Sequence, residues 1–225
     1  MIRRNTLLFM IIIGICSCKN IKRDAIKEGI IEYNVHYLNK EKESLYSFFL
    51  PKKMIIKFKK DKTKSELDGF SGNFYFSLIA NSRTDSAIAL FKIMNHDYYY
   101  VETQAGPSEL FGNLPGMKIN YTNDLCSIAG YECVTAEIES MLDSFPPFDI
   151  CYTKNINIHN PNKKNPFHEI NGVLLDFSVN LYNMDMRFVA DKILDTTISD
   201  SEFFVPEGFK RINKTNVDQI MSLLD

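Results

Sequence analysis

The residues with the most chemistry to offer are five cysteines: Cys16, Cys18, Cys126, Cys133 and Cys151. A thiol can be acylated, paired or metallated, and spacing decides which. No CxxC pair occurs, which argues against a zinc site. Cys126 and Cys133 flank Ala129-Gly130. A two-residue turn there would set the two thiols directly opposite each other, in place for a cross-strand disulfide in an oxidising compartment. That turn would also hold Ala129 at positive φ. Turn chemistry therefore favours a type I turn with Gly130 left-handed, which shifts the register by one residue and parts the thiols. Cys151 competes as a partner across the next hairpin, and three free thiols are the remaining arrangement.

His159 and His168 flank the loop sequence NPNKKNPF. Imidazole serves both zinc and proton transfer. His168-Glu169 nevertheless lacks a second histidine four residues on, and Pro161 and Pro166 argue for loop rather than helix. Both histidines are expected on the surface. The chain has no GxSxG, Walker or GxGxxG stretch, and no cysteine, histidine and acid close together in sequence. Asp97 with Glu102, and Asp185 with Asp191, read as solvated strand faces. No catalytic, metal or cofactor residue is assigned, and a hydrolytic enzyme is the last of the alternatives.

These residues sit in a chain dominated by a period of two. In IIEYNVHYL (30–38), Ile31, Tyr33, Val35 and Tyr37 share one face. MIIKFKK (54–60) sets Met54, Ile56 and Phe58 against Ile55, Lys57 and Lys59. GVLLDFSVNL (172–181) groups Val173, Leu175, Phe177, Val179 and Leu181, with its polar face in water. Similar stretches near 63–68, 73–80, 86–94, 96–102, 117–127, 131–138, 148–154 and 184–194 raise the expected number of strands to about eleven. Helical patterns are few: Leu45 to Leu50, a turn at Pro107 to Phe111, and Asn216 to Leu224 capped by Thr215. The expected architecture is mainly β, a large antiparallel sheet covered by a few short helices.

At 225 residues, 45% hydrophobic and 24% charged, the chain fits one globular domain. A formal charge of -2 supplies no field for a nucleic-acid backbone. Seventeen Phe and 11 Tyr are enough to line a core or a cleft.

Residues 1–6 carry Arg3 and Arg4, and residues 7–15 (LLFMIIIGI) are apolar and uncharged, the pattern of a secretory signal. Nine residues are too few to span a bilayer, which takes about 20. Ile15-Cys16-Ser17-Cys18 resembles a bacterial lipobox, with a branched residue three before the cysteine and a small one directly before it. That resemblance implies cleavage after Ser17, loss of Cys16 with the leader, and a diacylglyceryl group on the Cys18 sulfur. The expected organisation is a signal at 1–17, a charged tether at 18–28 and one domain at 29–225. No aspartate follows Cys18, which in proteins that resemble this one leaves the route to the outer membrane open.

IAGYECVTAEI (128–138), CYTKNI (151–156), EINGVLLDF (169–177) and DSEFFVPEGFK (200–210) together resemble the pattern of GLPGLI-type and related domains of unknown function in envelope lipoproteins. Cys151 stands where that pattern has tryptophan, and only Gly172 remains of its name-giving glycines, as befits a sister family. The resemblance implies a curved, half-open barrel similar to the LolA-type lipoprotein carriers, with short helices in its mouth. It also implies a membrane-anchored protein that binds a lipid, an apolar ligand or a lipoprotein partner without catalysis. A structural or interaction lipoprotein with a filled core is the alternative.

Overall fold

The period-two stretches form strands close to their expected limits. The computed structural model describes residues 25–38, 50–69, 74–93, 95–111, 117–140, 146–181 and 184–222. The Cys18 region and the expected helix at 45–50, all but Leu50, lie outside them. The strands are β1 Glu28–Tyr37, β2 Lys53–Lys59, β3 Lys62–Asp68, β4 Phe74–Asn81, β5 Ser86–Ile93, β6 His96–Val101, β7 Met117–Ile128, β8 Tyr131–Ser140, β9 Phe148–Thr153, β10 Val173–Leu181, β11 Met184–Asp195 and the short β12 Lys210–Arg211. Among the described residues there is one α-helix, α1, at Lys214–Ser222.

All twelve strands belong to one open sheet, in the order β12-β6-β5-β4-β3-β2-β1-β11-β10-β9-β8-β7. Pairing is antiparallel except where β12 runs parallel to β6. The sheet is strongly bent. Cα atoms of β7 and β11 approach within 8 Å although three strands lie between them, where a flat sheet would hold them about 19 Å apart. Ile31, Tyr33, Met54, Phe58, Phe76, Phe91, Phe177 and Phe188 fill its inner face, and Ile26, which bridges Ile156, joins the same core.

Among the described residues, irregular chain rather than helix does most of the covering. Leu110 of the 3-10 turn Glu109–Phe111, together with Ile158, Phe167 and Ile170, closes over the inner face. Helix α1 adds the fully buried Val217. It begins at Lys214, so Thr215 lies within it, and the side chain of Asn213 accepts from the Asn216 amide in the capping role expected of Thr215. On the outer face, Ile198 and Phe203 pack on Ile79 and Leu90. Beside them Lys57, Lys64, Glu66 and Glu202 form a chain of ion pairs of 2.7 to 3.5 Å.

Two expectations are corrected by local geometry. Strand β10 has no wet face: Asp176 and Ser178 are buried, and Arg187 holds the Asp176 carboxylate with two hydrogen bonds of 2.8 and 2.6 Å. The β7–β8 turn is the two-residue type, with Ala129 at φ +49° and Gly130 at φ +79°. Its backbone twist matches that of the flanking strands, which outweighs the roughly 1–2 kcal/mol of holding an alanine left-handed. Cys126 therefore does stand directly opposite Cys133.

Candidate functional site

Alternation along five neighbouring strands aims one face of each at a common space. Ile31 and Tyr33 come from β1, Met54 and Ile56 from β2, Thr63, Ser65 and Leu67 from β3, Phe76, Leu78 and Ala80 from β4, and Phe188 from β11. Phe177, Val179 and Leu181 of β10 continue the wall beside β11, while Phe111, Ile158 and Asn162 close it from the covering loops. The space is partly open and measures about 110 Å³. Apolar cavities of about 150 Å³ stay dry and take up benzene or xenon, whereas pockets for drug-sized ligands run from roughly 300 Å³ upward. This space suits one small apolar group, or the end of a single chain.

Tyr33, Ser65, Asn162 and Lys164 at its border are already engaged. The Tyr33 hydroxyl donates to the Leu174 carbonyl at 2.8 Å, and burial pushes its pKa up. The Asn162 amide nitrogen donates to the carbonyls of Ile170 and Gly172 at 2.7 and 2.8 Å, while its oxygen accepts from Asn165 at 3.1 Å. Such a lining offers shape and apolar contact, with little to orient a charged head.

Charged residues fasten the loops instead. Lys164, 4% exposed, donates to the Gln104 carbonyl at 3.1 Å and pairs with Asp85 at 3.1 Å. Asp85 also accepts from the Gly106 amide and faces Lys163 at 3.5 Å. These donors and lysine charges outweigh its desolvation and hold its carboxyl below the usual range. Glu102 is buried and accepts from the Ser108 hydroxyl. Burial pushes its pKa up. Glu102 is thus no solvated strand residue. It continues the parity of Tyr98 and Tyr100, and that phase is the signal that marks it as inward. Nothing in the lysine pair of NPNKKNP distinguishes buried Lys164 from Lys163.

The structure brings together one serine, histidine and acid that are far apart in sequence. Ser82 Oγ lies 3.4 Å from His159 Nδ1, and the Asp61 carboxylate is close enough to interact electrostatically with His159. The arrangement is not that of an activated nucleophile. The serine hydroxyl has the His159 carbonyl at 2.5 Å as its acceptor, and Asp61 is held by Arg83 Nε at 2.7 Å. The space beside them measures about 10 Å³. His159 and His168 are exposed, as the loop sequence implies. Among the described residues no three His, Cys, Asp or Glu are grouped to hold a metal ion.

Cys126, Cys133 and Cys151 are free thiols on neighbouring strands. Burial, with Cys126 nearby, pushes the Cys133 pKa up to about 12. Burial and contact with Cys126 raise that of Cys151.

Fold and site together define an open β domain around a small apolar cavity. Its fold is similar to part of PNGF-II, known in C2 and P21 crystal forms, with TM-scores of 0.56 and 0.53 at 13% and 12% identity over 87% of this chain. The chain spans about a third of the length of PNGF-II, 32% and 33% in the two structures. At that identity the likeness is one of fold alone. No protein-family model matches the sequence, and no curated protein does.

Proposed function

We propose that this protein is an envelope lipoprotein, anchored through acyl chains on Cys18, whose β domain binds a single apolar group without catalysing a reaction. The observation that carries the binding is the cavity of about 110 Å³ lined mainly by hydrocarbon and aromatic side chains. Its size narrows the ligand class. Two acyl chains side by side do not fit, so the LolA-like reading keeps the open sheet and a chain end as cargo rather than a whole diacylated lipid. Anchoring rests on the lipobox-like residues, and among the described residues no helix is long and apolar enough to cross a membrane.

Full-length protein extracted in mild detergent and studied by native mass spectrometry should carry one bound apolar molecule. Ala80→Phe, which places a ring in the cavity, should abolish uptake of a fluorescent fatty acid while the fold is kept. Equal uptake by wild type and variant would refute the binding site. Anchoring is tested separately: Cys18→Ser should abolish acyl labelling, and Cys16→Ser should leave it unchanged.

The small volume also favours a second reading, an interaction or structural lipoprotein whose cavity is a packing gap. It predicts no bound molecule and no rise in melting temperature with any fatty acid.

A further inference from the structure

We propose that Cys126, Cys133 and Cys151 form a thiol–disulfide exchange site in which Cys126 is the shared partner of the other two. The register sets Cys126 of β7 directly opposite Cys133 of β8. Antiparallel neighbours of this kind have Cα atoms about 4.5–5.5 Å apart, within the range a disulfide spans. Cys151 of β9 lies opposite Thr135, two residues along from Cys133 and so on the same face. Its thiol also contacts that of Cys126. The three sulfurs thus share one face of three adjacent strands, with Cys126 touching both of the others.

Burial gives the site an order of entry. Cys126 and Cys151 are half-buried, whereas Cys133 is 1% exposed. An incoming reagent meets Cys126 or Cys151, and Cys133 is reached only through its neighbour. Asp176 stands opposite Cys151, fixed by Arg187, and its negative charge disfavours a Cys151 thiolate. Cys126 is the better entry point.

With a small disulfide RSSR as oxidant, the Cys126 thiolate attacks one sulfur, forms a mixed disulfide and expels RS⁻. The Cys133 thiolate then attacks the Cys126 sulfur, closes the internal bond and expels the second RS⁻. The two cysteine protons end on the two released thiols. Cys151 can afterwards attack the Cys126 sulfur and free Cys133, a transfer with no net oxidation.

The test uses full-length protein equilibrated with oxidised glutathione and digested with a glutamate-specific protease. Cleavage after Glu132, Glu137 and Glu139 puts the three cysteines on separate peptides, which mass spectrometry then maps. The wild type should yield a Cys126–Cys133 link with Cys151 free, and Cys151→Ala should give the same link. Cys133→Ala should yield Cys126–Cys151. Cys126→Ala and Cys126→Ser should yield no link and leave Cys133 unmodified. A Cys133–Cys151 link in any of these proteins would overturn the proposal. So would a wild type whose Cys126 ends free or glutathionylated with no internal bond, a result that needs no variant to fold.

Discussion

The Lys164 ammonium stands 3.1 Å from the Asp85 carboxylate, with the lysine side chain 4% exposed and the aspartate 24%. The two partners are therefore not equivalent. Lys164→Met leaves an aspartate that still faces Lys163, and should cost about 2 kcal/mol. Asp85→Ala leaves a buried ammonium without its carboxylate and should cost more, about 3–5 kcal/mol. Urea denaturation of the two variants checks the order. A larger loss for Lys164→Met would contradict the geometry.

Tyr33→Phe keeps the ring at the cavity wall and removes the hydroxyl that satisfies the Leu174 carbonyl. The expected loss is about 1–3 kcal/mol of stability, with uptake of an apolar probe unchanged. Parallel denaturation and binding titrations separate the two effects.

Glu102 should make stability fall with rising pH. Burial sets its folded-state pKa above that of the unfolded chain, so between those two values the folded protein holds the proton more tightly. Stability drops as pH climbs from the ordinary carboxylate range through the raised value. Glu102→Gln, still able to accept from Ser108, should lose this slope and exceed the wild type in stability at neutral pH. Denaturation curves across that window, compared as a difference, cancel the opposite trend of Asp85 and Glu66, whose pKa values are lowered.

Ala129 occupies the left-handed region at φ +49°. Ala129→Asn, at home in a type I′ turn, should add about 1 kcal/mol without moving the register. A raised denaturation midpoint at unchanged slope would bear this out.

The strands were legible because nearly every one carries its inner face at period two, as Ile31, Tyr33 and Val35 do. Asp176 and Ser178 defeated that reading. Polar residues at alternate positions imply water only when nothing covers them, and here Arg187, from the neighbouring strand, closes over Asp176. The β7–β8 turn was misjudged because local preference at Ala129 lost to the twist of two long strands. The cavity walls were half visible in the aromatic alternation. Its closing loops were not, because Asn162 and Lys164 owe their burial to partners at Ile170, Gly172, Asp85 and Gln104 that no local pattern encodes. Ser82 and His159 met only through folding, 77 residues apart.

Strand β1 lies between β2, which follows it, and β11, which enters the chain some 150 residues later. The middle of the sheet is thus a seam between the two ends of the sequence. Closing it is a contact of long range, slow to form because so much chain must be ordered first. Until β11 is made, β1 presents a row of unpaired amides and carbonyls. A chain emerging end first, from a ribosome or through a membrane pore, would keep that row open nearly to the last. A chaperone that binds exposed strands would find its strongest grip at residues 28–37.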